Sequence, residues 1–165
     1  MKRDQLIFVG VLLAGALVAV VIVLATGGDD GGSSSASDLT KPSVEVPDGP
    51  PPSGLQVEDI TEGDGPEAHP GDTLTMQYVG VDYANGEEFD SSWDSGEPFT
   101  FQLGAGQVIP GWDQGIEGMK VGGGRELIIP PRLGYGKRGQ PPAIKPNETL
   151  VFVVDLLDVQ PAAGQ

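Results

Sequence analysis

The residues best suited to chemistry in this chain lie between 89 and 112, in the stretch FDSSWDSGEPFTFQLGAGQVIPGW. Phe89, Phe99, Phe101 and Trp112 fall close together there, beside the turn Val108-Ile109-Pro110-Gly111, and aromatic residues are sparse elsewhere. Rings gathered this way either fill a core or line a hydrophobic cup. A cup of that kind acts by excluding water from what it holds, and it needs no nucleophile.

The usual rivals are poorly equipped. Cysteine is absent, which removes disulfides, thiol catalysis and a lipid-bearing Cys after the apolar N-terminal run. The single histidine, His69, sits between Ala68 and Pro70, with no second His or Cys to build a zinc site and no good prospect of a Ser-His-Asp triad. The run Gly122-Gly123-Gly124 is followed by Arg125-Glu126 where a phosphate loop requires Lys-Ser/Thr, so it reads as a tight connection. Acid pairs such as Glu87-Glu88 and Asp90/Asp94 suggest a glycosidase, but nothing sets two of them across one cleft. With 9 Lys and Arg against 24 Asp and Glu, the net charge of −15 argues against nucleic-acid binding through phosphate neutralisation.

The elements that must position the rings are mostly strands. Leu74, Met76 and Tyr78 alternate with Thr73, Thr75, Gln77 and Val79; Phe99, Phe101 and Leu103 alternate with Thr100 and Gln102. Leu127 and Ile129 share one face, as do Leu150, Phe152, Val154 and Leu156, and Leu55–Ile60 is a weaker fifth candidate. This pattern predicts an antiparallel sheet covered on one side only. Pro110 suits the first position of a helix, and Trp112, Ile116 and Met119 recur at i, i+4 and i+7 with Gly118 near the end. An α+β domain follows, with one short helix laid across a twisted antiparallel sheet.

Ahead of this domain the chain changes character twice. Leu6 to Ala25 is an apolar run of 20 residues, preceded by Lys2-Arg3 and followed by Asp29-Asp30. A helix of that length spans about 30 Å, the thickness of a bilayer's hydrocarbon core. The positive flank stays in the cytoplasm and sends the rest of the chain outside. The run exceeds the apolar region of a cleavable signal peptide, so residues 1–25 read as a membrane anchor, with secretion after signal cleavage as the alternative. Residues 26–52, rich in Gly, Ser and Pro, read as a disordered linker; residues 53–160 form the domain and 161–165 a tail.

From about Gly54 to Val159 the chain resembles FKBP-type peptidyl-prolyl cis–trans isomerases. The resemblance rests on Phe89-Asp90-Ser91-Ser92, Pro98-Phe99, Val108-Ile109 before Gly111-Trp112, Gly63-Asp64-Gly65, Gly134-Tyr135-Gly136 and Thr149-Leu150-Val151-Phe152. It implies the family's fold, a twisted sheet wrapped on a short helix, and isomerase activity without cofactor or metal. It also implies a site. Tyr78, Phe89, Asp90, Trp112 and Tyr135 match the catalytic positions: two wall rings, the acid behind them, the floor, and a hydroxyl for the ligand backbone. Phe99, Val108, Ile109, Ile144 and Phe152 match substrate-binding positions, with the Ile109 N–H directed to a substrate carbonyl and Ile144 and Phe152 at the rim and rear. The implied partners are proline-containing polypeptides and macrolide ligands, for a monomer that touches the membrane only through its N-terminal segment.

Two positions depart from the family. Ser95 stands where the eukaryotic prototypes carry an arginine that helps to fix the acid, leaving Asp90 dependent on Tyr78. Gln140 replaces a common loop histidine, while Arg132 and Lys137-Arg138 make the loop around Tyr135 basic. A module that holds proline segments without turning them over, as a binding or chaperone part of the cell envelope, is therefore the second reading.

Overall fold

The computed structural model describes residues 39–164. Six strands form one antiparallel sheet: β1 (Gln56–Thr61), β2 (Thr73–Asp82), β3 (Glu88–Ser91), β4 (Phe99–Gln102), β5 (Gly124–Ile129) and β6 (Leu150–Gln160). The spatial order is β1-β5-β6-β2-β3, and β4 also pairs with β2. The two short strands share one edge of β2: β4 takes Thr73–Met76 and β3 takes Val79–Val81. Gln77 and Tyr78 fall in the gap between them, and this split edge is where the sheet opens.

Period-two alternation places Leu74, Met76, Leu127, Ile129, Leu150, Phe152, Val154 and Leu156 on one face, all buried. Helix α2 (Pro110–Gly115) lies over that face, with Pro110 in its first turn and Trp112 inward. It is shorter than the predicted periodicity. Ile116 is already its C-cap, and Met119 reaches the core from the following turn. Gly111 permits the close approach of helix to sheet, since a Cβ there would stand 2.5 Å from an Ile129 methyl.

The opposite face corrects an expectation, because it too is covered. Val79, Val81, Tyr83, Ile128 and Val151 form a second buried cluster, closed by Val44, Val46 and Trp93. Val44 and Val46 belong to residues 39–52, assigned from composition to a disordered linker. Here that stretch runs as an extended strap on the domain: Lys41 pairs with Glu88 and Asp94, and the Tyr83 hydroxyl donates to the Pro50 carbonyl. A run of Pro and Gly hides two valines at strand spacing, and the apolar outer face gives them something to bury.

The apolar run Leu6–Ala25 and linker residues 26–38 lie outside the described residues. Among the described residues, no helix is long and apolar enough to cross a membrane.

Candidate functional site

Tyr78 sits in the gap between β3 and β4, so its backbone N–H lacks a ladder partner on that side. Ser92 supplies one: its Oγ accepts from Tyr78 N at 2.8 Å while donating to the Gln77 side-chain carbonyl. Ser92 opens the four-residue helix α1 (Ser92–Ser95), capped by Ser91 Oγ and ended by Gly96 in the left-handed region at φ 75°. These locks fix β3 just ahead of them, and β3 carries Phe89 and Asp90. The Tyr78 hydroxyl donates to Asp90 Oδ2 at 2.7 Å. Asp90 does not depend on Tyr78 alone, because its Oδ1 accepts from Ser91 N at 2.9 Å. Ser95 takes no part; its Oγ donates to the Ser92 carbonyl within its own helix turn.

The far wall is built from the loop before α2. Asp113, in the first turn of the helix, accepts from Gly104 N at 2.9 Å and Gly106 N at 3.3 Å, and Gln107 Oε1 accepts from Gln102 N at 2.9 Å. The loop thereby delivers Val108 and Ile109 beside the rings. The Ile109 carbonyl accepts from Trp112 N, whereas the Ile109 N–H donates to no acceptor among the described residues.

Tyr78, Phe99 and Phe152 meet Trp112 edge to face, and Phe101 meets it at a tilt of 55°. The Trp112 centroid lies 5.1 Å from Tyr78, 5.3 Å from Phe152, 5.7 Å from Phe101 and 6.0 Å from Phe99. Phe89 packs on Phe152 at 5.5 Å. Gly80 makes that contact possible, since a Cβ there would fall 2.6 Å from Phe152 and 2.7 Å from Phe89. Edge-to-face pairs of this kind add about 0.5–1.5 kcal/mol each beyond burial, which stiffens the arrangement.

These rings are not packed solid. They enclose a cavity of about 220 Å³ lined by Tyr78, Phe89, Asp90, Phe99, Gln107, Val108, Ile109, Trp112, Tyr135 and Phe152. Trp112 is only 4% exposed and forms the floor, whereas Phe99 (38%) and Tyr135 (37%) stand at the mouth. The Trp112 indole N–H is buried without a protein partner. Burial, and then the hydrogen bond and charge of Asp90, push the Tyr78 hydroxyl above its ordinary pKa; burial followed by the Asp90 charge does the same for Tyr135. Both phenols therefore stay protonated at neutral pH, as donors.

Nine of the ten residues assigned to the site line this cavity. Ile144 does not: it is 4% exposed within the main core cluster, held by the paired backbone bonds between Gln140 and Ile144. Phe101 lies beneath the floor as core. Gln107 lines the cavity and was missed; a lone glutamine in a loop carries no sequence signal for such a role. A larger hollow of about 760 Å³ lies between the strap and residues 145–149. Asp48, Asp82, Asn85 and Glu148 line it, and no cluster of rings converges there, so the smaller cavity is the candidate site. Among the described residues, no group of His, Cys, Asp and Glu could hold a metal ion.

Comparison with known proteins agrees with this arrangement. The family described as FKBP-type peptidyl-prolyl cis–trans isomerase matches residues 65–157. An FK506-binding protein of Streptomyces anulatus is 59% identical over 122 residues, covering 73% of this chain and 98% of that protein. A probable FK506-binding protein of Corynebacterium glutamicum is 49% identical over 119 residues, 72% of this chain and 98% of its own length. The crystal structure of AtFKBP13 superposes with a TM-score of 0.60 at 43% identity, covering 66% of this chain and 94% of that one. The split-edged sheet, the short helix beneath the rings and these matches together make the chain a member of the FKBP-type peptidyl-prolyl cis–trans isomerase family.

Proposed function

We propose that this chain accelerates rotation about X–Pro bonds in polypeptides folding outside the cytoplasm, held near the membrane by its N-terminal segment. The observation that carries the catalytic half is the open aromatic cavity, with the Tyr135 hydroxyl at its mouth and the unpaired Ile109 N–H on its wall. Rotation must break amide resonance, a barrier of about 18–20 kcal/mol. The twisted amide is less polar than either planar form, so water favours the planar forms more strongly. A proline ring gripped by Trp112, Phe152, Tyr78 and Phe99 leaves water behind, and the twisted state gains relative to the planar one. That differential binding is catalysis.

The polar groups hold the substrate backbone while the bond turns. Tyr135 and the Ile109 N–H donate to carbonyls on either side of the proline, and Tyr78 holds Asp90 against the wall. No step transfers a proton. Each tenfold in rate requires about 1.4 kcal/mol of selective stabilisation, within reach of apolar contact and oriented donors. Macrolides rich in apolar rings fit the same cup, consistent with relatives named for FK506 binding.

The extracytoplasmic half rests on Lys2-Arg3 before the apolar run Leu6–Ala25. Membrane fractionation with protease protection tests it: the domain should be membrane-bound and digested from outside. A protease-free exchange assay on Ala-Leu-Pro-Phe tests the catalytic half. Capture of the peptide without faster exchange would favour a holding module, the reading kept open by Ser95, whose hydroxyl does not reach Asp90.

A further inference from the structure

The described residues contain seven Lys and Arg, and they divide sharply by place. Lys41 pairs with Glu88 and Asp94 at 2.9 and 2.8 Å, Lys120 with Glu62 at 3.6 Å, and Arg125 with Asp59 at 2.5 Å. The other four, Arg132, Lys137, Arg138 and Lys145, all lie between β5 and β6 and are exposed, and their charged groups have no carboxylate within 4.0 Å among the described residues. In a chain of net charge −15, four unpaired cations gathered in one segment stand out. Residues 130–149 hold these four cations and one acid, Glu148.

Three of the four flank Tyr135 within three residues in sequence, and Tyr135 lines the aromatic cavity, although none of the three cations does. Lys145 faces the other hollow. Another segment has the reverse character: residues 87–97 carry Glu87, Glu88, Asp90, Asp94 and Glu97 with Lys41 of the strap as the cation paired to two of them, and Phe89 and Asp90 line the same cavity as Tyr135. Through Tyr135 and Asp90 the one cavity therefore borders both a basic loop and a more acidic segment. We infer that Arg132, Lys137 and Arg138 are specificity-determining residues, which select proline segments bearing a carboxylate on the side that crosses the Tyr135 loop.

The inference rests on the proposed reading of the cup as the substrate site. Exposed charges act here at several ångströms through solvent, so their effect is modest and screened by salt. About threefold to tenfold in kcat/KM at low ionic strength is the scale expected of three such cations. A preference of this size sorts clients without changing the chemistry of the bond.

The test uses the full chain in a non-ionic detergent and protease-free exchange on five peptides. They are neutral Ala-Leu-Pro-Phe and versions carrying Glu or Lys on one side or the other. At low salt one Glu peptide should turn over about threefold to tenfold faster than its Lys counterpart, and about 0.5 M salt should erase most of the difference. The double reversal Arg132→Glu with Arg138→Glu should invert that order and leave the neutral peptide unchanged. Equal rates for Glu and Lys peptides beside brisk turnover of the neutral one would overturn the inference and spare the isomerase reading. A preference that survives the double reversal would also overturn it. No acceleration of any peptide would overturn both.

Discussion

Glu126 should make this protein less stable as pH rises, while its turnover stays level. The side chain is 2% exposed on the outer face of β5, and its Oε2 has no hydrogen-bond partner. Burial, and then the charge of Glu58 opposite it on β1, push its pKa up to about 7 from the ordinary 4.5. The native state therefore holds a proton that the unfolded chain has released between those two values. Stability is fully present below about pH 4.5, falls through the interval, and levels off above about 7. At about 1.4 kcal/mol per pK unit, the loss attributable to this residue is about 3 kcal/mol. Glu126→Gln keeps the shape and cannot ionise. Urea unfolding of both chains from pH 4.5 to 8 isolates the effect, because every other carboxylate titrates in each. The variant should match the wild type near pH 4.5 and exceed it by about 2–3 kcal/mol at pH 8. Turnover per folded molecule should vary little between pH 5 and 8, since the Tyr78 and Tyr135 hydroxyls stay protonated and His69 lies outside the cavity. A stability difference independent of pH, or one favouring the wild type at pH 8, would refute this account of the buried carboxyl.

Tyr78→Phe removes the 2.7 Å bond to Asp90 but keeps the ring, and Asp90 retains the Ser91 N–H. It should cost about 1–2 kcal/mol in denaturant unfolding and tenfold or less in kcat/KM; a far larger loss of rate would place the hydroxyl in the chemistry itself. Val44→Asp with Val46→Asp should strip the strap from the outer face and lower stability by about 2 kcal/mol, read as a shift of the urea midpoint. An unchanged midpoint would show that the strap contributes nothing to the fold.

The main strands were legible where buried apolar residues alternate with partly exposed polar ones, as Leu74 and Met76 do with Thr73, Thr75 and Gln77. In β6, residues 150–154 are buried on both faces, and that continuous apolar run marked the strand instead. The segment Glu88–Ser95 was not, although it positions Asp90. A four-residue strand and a four-residue helix are too short to express a period, and the available signal was the cap pair Ser91 and Gly96. The strap was misread because its burial depends on a partner face distant in sequence: Val79, Val81 and Val151 are apolar where a solvated face would be polar. Nine of the ten residues that line the cavity were legible through family resemblance, with the rings also conspicuous by composition. Ile144 shows the limit of that resemblance. Nothing local distinguishes an isoleucine at a pocket rim from one turned into the core, and here the Gln140–Ile144 backbone pairing turns it inward.

The most direct test of a dry aromatic cup that turns the amide without proton transfer is the exchange rate of neutral Ala-Leu-Pro-Phe with the full chain, in H₂O and in D₂O. Faster exchange with a solvent ratio near one is the result expected. Unchanged exchange despite bound peptide, or a ratio of about two or more, would contradict it.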